Sequence, residues 1–272
     1  LDDIDSQALQ QAKNLANLPF VFKHIAIMPD SHVGFGMPIG GVLATTDNII
    51  PNAVGVDIGC GMCAQRTSLK EIDHENLKKI MSKIRELIPV GMKHHNRPCD
   101  ESLMPKVNFS DTIIVNQEYE SALYQIGTLG GGNHFIEIQK GSDGFIWIMI
   151  HSGSRNIGYK TAAYYDKTAK NLNEKLKSKV PKSFDLAHLL LDSNEGRKYF
   201  IEMSFCLEFA FQNRKLMLEN IKAAITSVIN EKIIFDNFVN IAHNYAAIET
   251  HFHKEVVVHR KGATSAKLNE IG

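Results

Sequence analysis

The sequence predicts a mixed α+β fold, with β-sheets carrying ligand-bearing loops on one rim and helices packed behind them. Three observations predict it. Short apolar runs of strand character end repeatedly in Gly- or Asn-marked turns. A long stretch of helical period runs over residues 194–229, with Met203, Phe205, Leu207, Phe209, Phe211, Leu216 and Leu218 supplying a broad apolar surface. Asp57, Cys60, His134, His151 and His243 each stand at the edge of an apolar run, where a strand meets a loop and sites collect on a rigid scaffold.

The elements follow in order. Residues 7–18 have helical spacing, and residues 21–28 switch to strand-like apolar content before Pro29. Pro29-Asp30-Ser31-His32-Val33-Gly34-Phe35-Gly36 is expected to be a loop whose glycines allow tight turns and close backbone approach. Residues 39–45 and 49–56 read as strands, the second ending at Asp57, so Asp30 and Asp57 are both expected at the mouths of Gly-containing loops. Residues 72–87 form an amphipathic helix with Asp73 as N-cap, Glu75 in the first turn and Pro89 beyond its end. Residues 93–99 are polar and irregular, and the tandem His94-His95 is expected to face water. His74 and His188 read likewise as ordinary core or surface side chains.

Residues 127–132 make a glycine-rich turn, and residues 134–139 alternate as a strand. Residues 141–144 turn into the unbroken apolar run 145–150, expected to be buried on both faces. If these two strands form a hairpin, His134 and His151 meet at its open end. Residues 239–242 lead to His243, and residues 255–260 form a strand ending in Lys261-Gly262-Ala263-Thr264. No internal repeat or linker divides the chain, and one domain spanning residues 1–272 is expected.

Composition narrows the function classes. Lys+Arg and Asp+Glu both number 30, so no global positive field advertises nucleic acid, although a local basic groove fits inside a neutral total. Four Cys in 272 residues do not make a disulfide framework, and a reducing compartment, the cytoplasm, is expected. No apolar run reaches the about 20 residues of a membrane span, and the start at Leu1-Asp2-Asp3-Ile4-Asp5 has no signal-peptide pattern. The missing initiator Met leads to the expectation that the numbering begins inside a longer gene product.

One carboxylate, one thiolate and three imidazoles suit a soft-to-borderline divalent ion, or two ions sharing the sulfur. Cys60 lies in a glycine turn, where backbone amides are expected to lower its pKa. Cys60-Gly61-Met62-Cys63 would alternatively begin a zinc knuckle, but no second Cys pair follows. Ser152, Ser154 and Arg155 follow His151, and His259, Arg260 and Lys261 end the last strand; beside a metal, such donors point to phosphoryl chemistry.

Six segments carry a resemblance. Pro29-Asp30-Ser31-His32-Val33-Gly34, residues 55–62, Gly130-Gly131-Gly132-Asn133-His134-Phe135-Ile136-Glu137, His151-Ser152-Gly153-Ser154-Arg155, Ala242-His243-Asn244-Tyr245-Ala246 and His259-Arg260-Lys261-Gly262-Ala263 closely resemble, in order, the RtcB family of RNA ligases. The resemblance implies a GTP- and Mn²⁺-dependent ligase joining an RNA 3′-phosphate or 2′,3′-cyclic phosphate to a 5′-hydroxyl, through histidine-guanylate and RNA-guanylate intermediates. It implies Asp57, Cys60, His134, His151 and His243 as ligands of two Mn²⁺ ions, with Cys60 bridging. Asn133, Glu137 and Asn244 are implied to contact the guanine nucleotide, Arg155 and Lys261 the phosphates, and Asp30 to be an essential acidic residue. RNA is the implied partner, and archease a partner as activator.

Two departures stand out. The family continues past the His259 motif into a His-Gly-Ala-Gly-Arg segment holding the guanylated histidine, which none of the remaining histidines here matches, so a portion of a longer protein or a fragment unable to form the guanylate is expected. Cys63 stands where Asn or Ala is expected, a second thiol near the metal with redox or metal-binding potential. The competing readings are a non-ligating, metal-dependent RNA-phosphate-binding paralogue and a metallohydrolase; the second lacks a His-x-Asp or paired-Asp signature.

Overall fold

A computed structural model describes residues 4–267. Two four-stranded antiparallel sheets and a two-stranded ribbon pack with six α-helices among these residues, the expected mixed α+β architecture.

The first sheet contains β4 (Gly61–Thr67), β5 (Phe135–Lys140), β6 (Ile146–Ser152) and β8 (Phe235–Ala242), in the order β5-β6-β4-β8. The second contains β1 (Val21–His32), β2 (Ile39–Thr45), β9 (Asn244–His251) and β10 (Lys254–Lys261), in the order β1-β2-β10-β9. β3 (Asn48–Ile49) pairs with β7 (Leu189–Leu190). His243 is the single residue between β8 and β9, so the chain passes from one sheet to the other at a candidate ligand.

α1 (Ser6–Ala16) starts at Asp5, whose carboxylate accepts from the amides of Gln7 and Ala8. α3 (His74–Leu87) starts at the expected cap, Asp73, which accepts from the Asn76 amide at 2.8 Å. α4 (Ile114–Leu123) has no cap of its own. Buried Glu202 supplies one from a distance, accepting from the Ile113 and Val115 amides and from the Tyr165 hydroxyl, each at 2.7 Å.

α6 (Asn194–Thr226) is the spine. Its first half, through Met203, Cys206 and Phe209, packs into a core shared with α4 and with α5 (Arg155–Lys175). Its second half, through Met217, Ile221 and Ile225, packs with α3 beneath the first sheet, where Ile148 and Ile150 of β6 are buried. A third core joins α1 to Leu43 of β2 and to Ile50 and Ala53 around α2 (Pro51–Val54).

Three expectations need correction, and two helices were not foreseen. Residues 49–56 are not a strand: pairing ends at Ile49, and Pro51 opens α2, because its fixed φ and missing N–H suit a first helical turn. The run is apolar because Ile49, Ile50, Ala53 and Val54 are wholly buried. Residues 29–32 are strand rather than loop, so Asp30 is an exposed residue of β1 and the turn begins after His32. β6 is fully buried on one face only, with Trp147 and Met149 partly covered. α4 and α5 escaped the sequence reading.

Candidate metal centre

Antiparallel order explains how four distant segments meet. In β5-β6-β4-β8, the starts of β5 and β4 and the ends of β6 and β8 fall on one rim. His134 immediately precedes β5, Cys60 precedes β4, His151 lies near the end of β6 and His243 follows β8. Neighbouring strands lie about 4.8 Å apart, so this rim lines up the four side chains in the order His134, His151, Cys60, His243. The expected hairpin is present, with Phe135 opposite His151 and the His134 and His151 rings 5.4 Å apart.

The donor atoms form two groups that share one sulfur. Cys60, His151 and His243 make one, and Asp57, Cys60 and His134 the other, with the ligand atoms of each group all within 4.8 Å of one another. Cys60 Sγ lies 3.2 Å from His151 Nε2 and 3.5 Å from His134 Nε2. His151 Nε2 and His243 Nε2 are 3.3 Å apart, and Asp57 Oδ2 is 2.8 Å from His134 Nε2. For bonds of about 2.1 Å, tetrahedral ligand atoms stand roughly 3.4 Å apart, so these separations have the scale of coordination edges.

Each ligand is aimed by its neighbours. His151 Nδ1 donates to the Asn133 carbonyl at 3.0 Å; a carbonyl only accepts, so the Nε2 lone pair faces Cys60 and His243. The His243 amide donates to the Cys60 carbonyl at 2.8 Å, and the Gly59 amide to the Asn244 carbonyl at 2.7 Å. Asn244 uses both ends of its side chain here, donating to the Asp57 carbonyl at 3.1 Å and accepting from the Gly262 amide at 2.8 Å. A Cβ at Gly153 would sit 2.2 Å from the Asp57 carboxylate, and one at Gly130 would sit 2.1 Å from His134 Nδ1, so these two glycines make room for ligand side chains.

The electrostatics suit a cation. Burial raises the Asp57 carboxyl, but the hydrogen bond and charge of His134 outweigh it and hold it below the usual carboxylate range. Burial also pushes His243 down to about 4 and lowers His151, so both rings are neutral donors at pH 7. The Cys60 thiol runs opposite to the sequence expectation: burial and the adjacent Asp57 charge raise it, outweighing the Gly61 amide. One carboxylate, one thiol and three imidazole nitrogens brought within coordination reach of one another fit a bound divalent ion.

Other sequence-assigned residues are placed differently. Ser154 Oγ donates to the Ile58 carbonyl and Ser152 is sealed against Asn213, so neither serine is a free phosphate donor. His259 Nε2 accepts from the Ile50 amide at 3.0 Å, and Arg260 grips Glu249 with two nitrogens. Lys261 is buried and donates to the carbonyls of Phe35 and Asn52 at 2.7 and 3.0 Å, and burial brings it down to about 8. Arg155, held in left-handed backbone at φ 59°, bonds Thr128 Oγ1 at 2.9 Å and the Gly91 carbonyl at 2.6 Å and shares a cavity wall with Asp57 and His134. Asn133 is exposed beside the ligands, whereas Glu137 lies on exposed β5 against a separate cavity of about 430 Å³. Asp30, on β1, belongs to neither donor group. Cys63 points into the core beneath the first sheet, where burial raises its thiol to about 12, so it is a packing residue and not a second metal thiol. His95 does not simply face water, since its ring bonds the Ile126 carbonyl at 3.1 Å.

The sequence reading missed Asn213 and Arg214, both wholly buried on α6. Arg214 Nη1 donates to the Gly59 and Ser152 carbonyls at 2.8 Å, pinning the Cys60 turn to the end of β6. Asn213 accepts from the Gly127 and Thr128 amides and donates to the Gly153 carbonyl. The available signal was an Asn-Arg pair in phase with the buried stripe of Phe209, Ala210 and Met217.

Comparison with known proteins identifies the family. The family model described as "tRNA-splicing ligase RtcB" matches residues 11–112 and 105–271. The chain is 39% identical over 295 residues to "RNA-splicing ligase RtcB1" of Escherichia coli, covering 99% of this chain and 71% of that protein. It is 38% identical to "RNA-splicing ligase RtcB" of Escherichia coli strain K12 over the same shares. It is 31% identical to "tRNA-splicing ligase RtcB" of Methanococcus maripaludis, covering 97% of this chain and 66% of that protein. A protein with this rim of ligands, matched along nearly its whole length, belongs to the RtcB family of RNA-splicing ligases.

Proposed function

We propose that this protein is a GTP- and Mn²⁺-dependent RNA ligase that joins 3′-phosphate or 2′,3′-cyclic phosphate ends to 5′-hydroxyl ends through histidine-guanylate and RNA-guanylate intermediates. The observation that carries the proposal is the meeting of two donor groups on the single thiol of Cys60. Asp57, Cys60 and His134 would hold one Mn²⁺, and Cys60, His151 and His243 the other. The ions would neutralise charge developing on the transferred phosphate and on the attacking and leaving oxygens.

The chain's own residues do the positioning. Asn133 fixes the His151 ring through its carbonyl and stands exposed beside the ligands, and Asn244 holds the Asp57 turn; both, with Glu137, are proposed as nucleotide contacts. Arg155 keeps a fixed guanidinium at the cavity wall for phosphate oxygens. Lys261 has no carboxylate partner among the described residues, and an ammonium already brought down to about 8 is suited to giving or taking a proton near neutrality. Asp30 and Lys261 are the proposed catalytic residues within this sequence, and the guanylated histidine is assigned to none of its residues. A cytoplasmic location, which four free thiols support, and an archease-type activator belong to the same proposal.

The test is joining of a 3′-phosphate RNA to a 5′-hydroxyl RNA by the full-length gene product. Product that requires both Mn²⁺ and GTP and vanishes in Cys60→Ala is expected. Product formed without GTP would contradict the proposal, and RNA binding without joining would favour the non-ligating reading.

A further inference from the structure

Beside the donor groups lies a cavity of about 790 Å³. Asp57 and His134 line it together with Arg155, Lys93, Lys160 and Tyr159. Small-molecule sites occupy roughly 300–1,000 Å³, so this one has room for a nucleotide and its phosphates. Its charge is lopsided. Three cations face one carboxylate, which His134 already engages, and although Lys160 pairs with Glu118 at 2.7 Å, Lys93 and Arg155 pair with no carboxylate among the described residues.

The first turns of α5 bring two of these groups together. Arg155 and Tyr159 are four residues apart, so their Cα atoms stand about 6 Å apart along the helix and both side chains reach the cavity. Tyr159 is 58% exposed, and its ring packs on no other ring among the described residues. Arg155 is held rigidly by Thr128 and Gly91 through Nε and Nη2, which leaves Nη1 unused. Two candidate metal-binding residues, a guanidinium held in place, a lysine with no carboxylate partner among the described residues and an aromatic ring with no ring partner therefore share one cavity. That is the composition of a site for single-stranded nucleic acid, where cations follow the backbone and rings stack bases without reading sequence.

We propose that this cavity binds the last unpaired nucleotides of an RNA strand whose phosphate end reaches the donor groups, with Arg155 and Lys93 on phosphates and a base stacked on Tyr159. The inference rests on the RNA-ligase reading and adds a selectivity: the cavity recognises an unpaired end and tolerates any base.

The test is equilibrium binding of a fluorescent RNA of about ten nucleotides ending in a 3′-phosphate to the 272-residue chain loaded with Mn²⁺. Tyr159→Ala is expected to weaken binding between about fivefold and a hundredfold, and Tyr159→Phe to keep it within about twofold. Lys93→Gln is expected to flatten the slope of log affinity against log salt by about 0.7. Both side chains are exposed, and unchanged melting of the free variants confirms that folding is intact. Affinity indifferent to Tyr159→Ala and Lys93→Gln, while the wild-type chain binds RNA, would overturn the cavity assignment alone. Displacement of the RNA by equimolar GTP would make the cavity a mononucleotide pocket and also overturn it. A wild-type chain that binds no RNA would sink the ligase reading and this inference together.

Discussion

The rim of the first sheet and the end of β10 look alike in sequence, each with histidines and basic residues where a strand meets a Gly-containing turn. Their surroundings differ. At the end of β10, His259 already bonds the Ile50 amide and Arg260 is clasped by Glu249, so those polar groups are complete within the protein. At the rim, three imidazoles, a thiol and a carboxylate bring five donor atoms towards one another around a shared sulfur. Residue type therefore does not identify a site; the convergence of donor atoms from distant segments does. Lys261 is the exception on β10, buried against carbonyls without a carboxylate.

The comparison breaks most sharply if rim variants fail to affect metal binding. Cys60→Ala is expected to abolish binding at both donor groups and, with it, the thermal stabilisation by Mn²⁺, which at a hundredfold excess over Kd amounts to about 2.7 kcal/mol. Differential scanning calorimetry with and without Mn²⁺ measures this, and an unchanged metal-dependent shift would sink the shared-thiol arrangement. On β10 the loss is expected in the fold instead. Arg260→Ala leaves Glu249 with His251 as its remaining hydrogen-bond partner at 2.9 Å, and urea denaturation should show a loss of about 1–3 kcal/mol with no change in metal content.

A smaller effect separates the histidines by pH. Burial holds His259 near 4, below the usual value of about 6.5 for an unfolded chain. Between these values the unfolded state binds the extra proton, so stability is complete above about pH 6.5 and falls as the pH drops towards 4. His259→Gln can retain an acceptor for the Ile50 amide, costs at most about 1–3 kcal/mol if that bond is lost, and should flatten this acid limb. An unaltered limb in urea titrations at pH 7 and pH 5 would contradict the placement of His259.

Much of this was legible in the sequence because strand ends, turns and caps leave local marks. Asp73, the His134–His151 hairpin and the long helix, read over residues 194–229 and found at Asn194–Thr226, follow from such marks, as does the placing of Asp57, Cys60, His134, His151 and His243 at strand ends. What escaped was set by tertiary partners. The stretch after Pro51 is apolar through burial and not through pairing, and Pro51 itself was the overlooked helix signal. Ser152 and Ser154 resemble phosphate donors until the buried carbonyl and amide that consume them come into place. Arg214 lies on a helix read as plain core, 154 residues after Cys60 in sequence, and only the folded chain brings it onto the Gly59 carbonyl.

The central claim is that two ion sites share the Cys60 sulfur, and the most direct measurement is the number of Mn²⁺ ions bound per chain, by native mass spectrometry, in wild type and single-ligand variants. Two ions in wild type, one in His243→Ala, one in Asp57→Ala and none in Cys60→Ala are predicted. A single ion in wild type, or full occupancy in Cys60→Ala, would contradict the account.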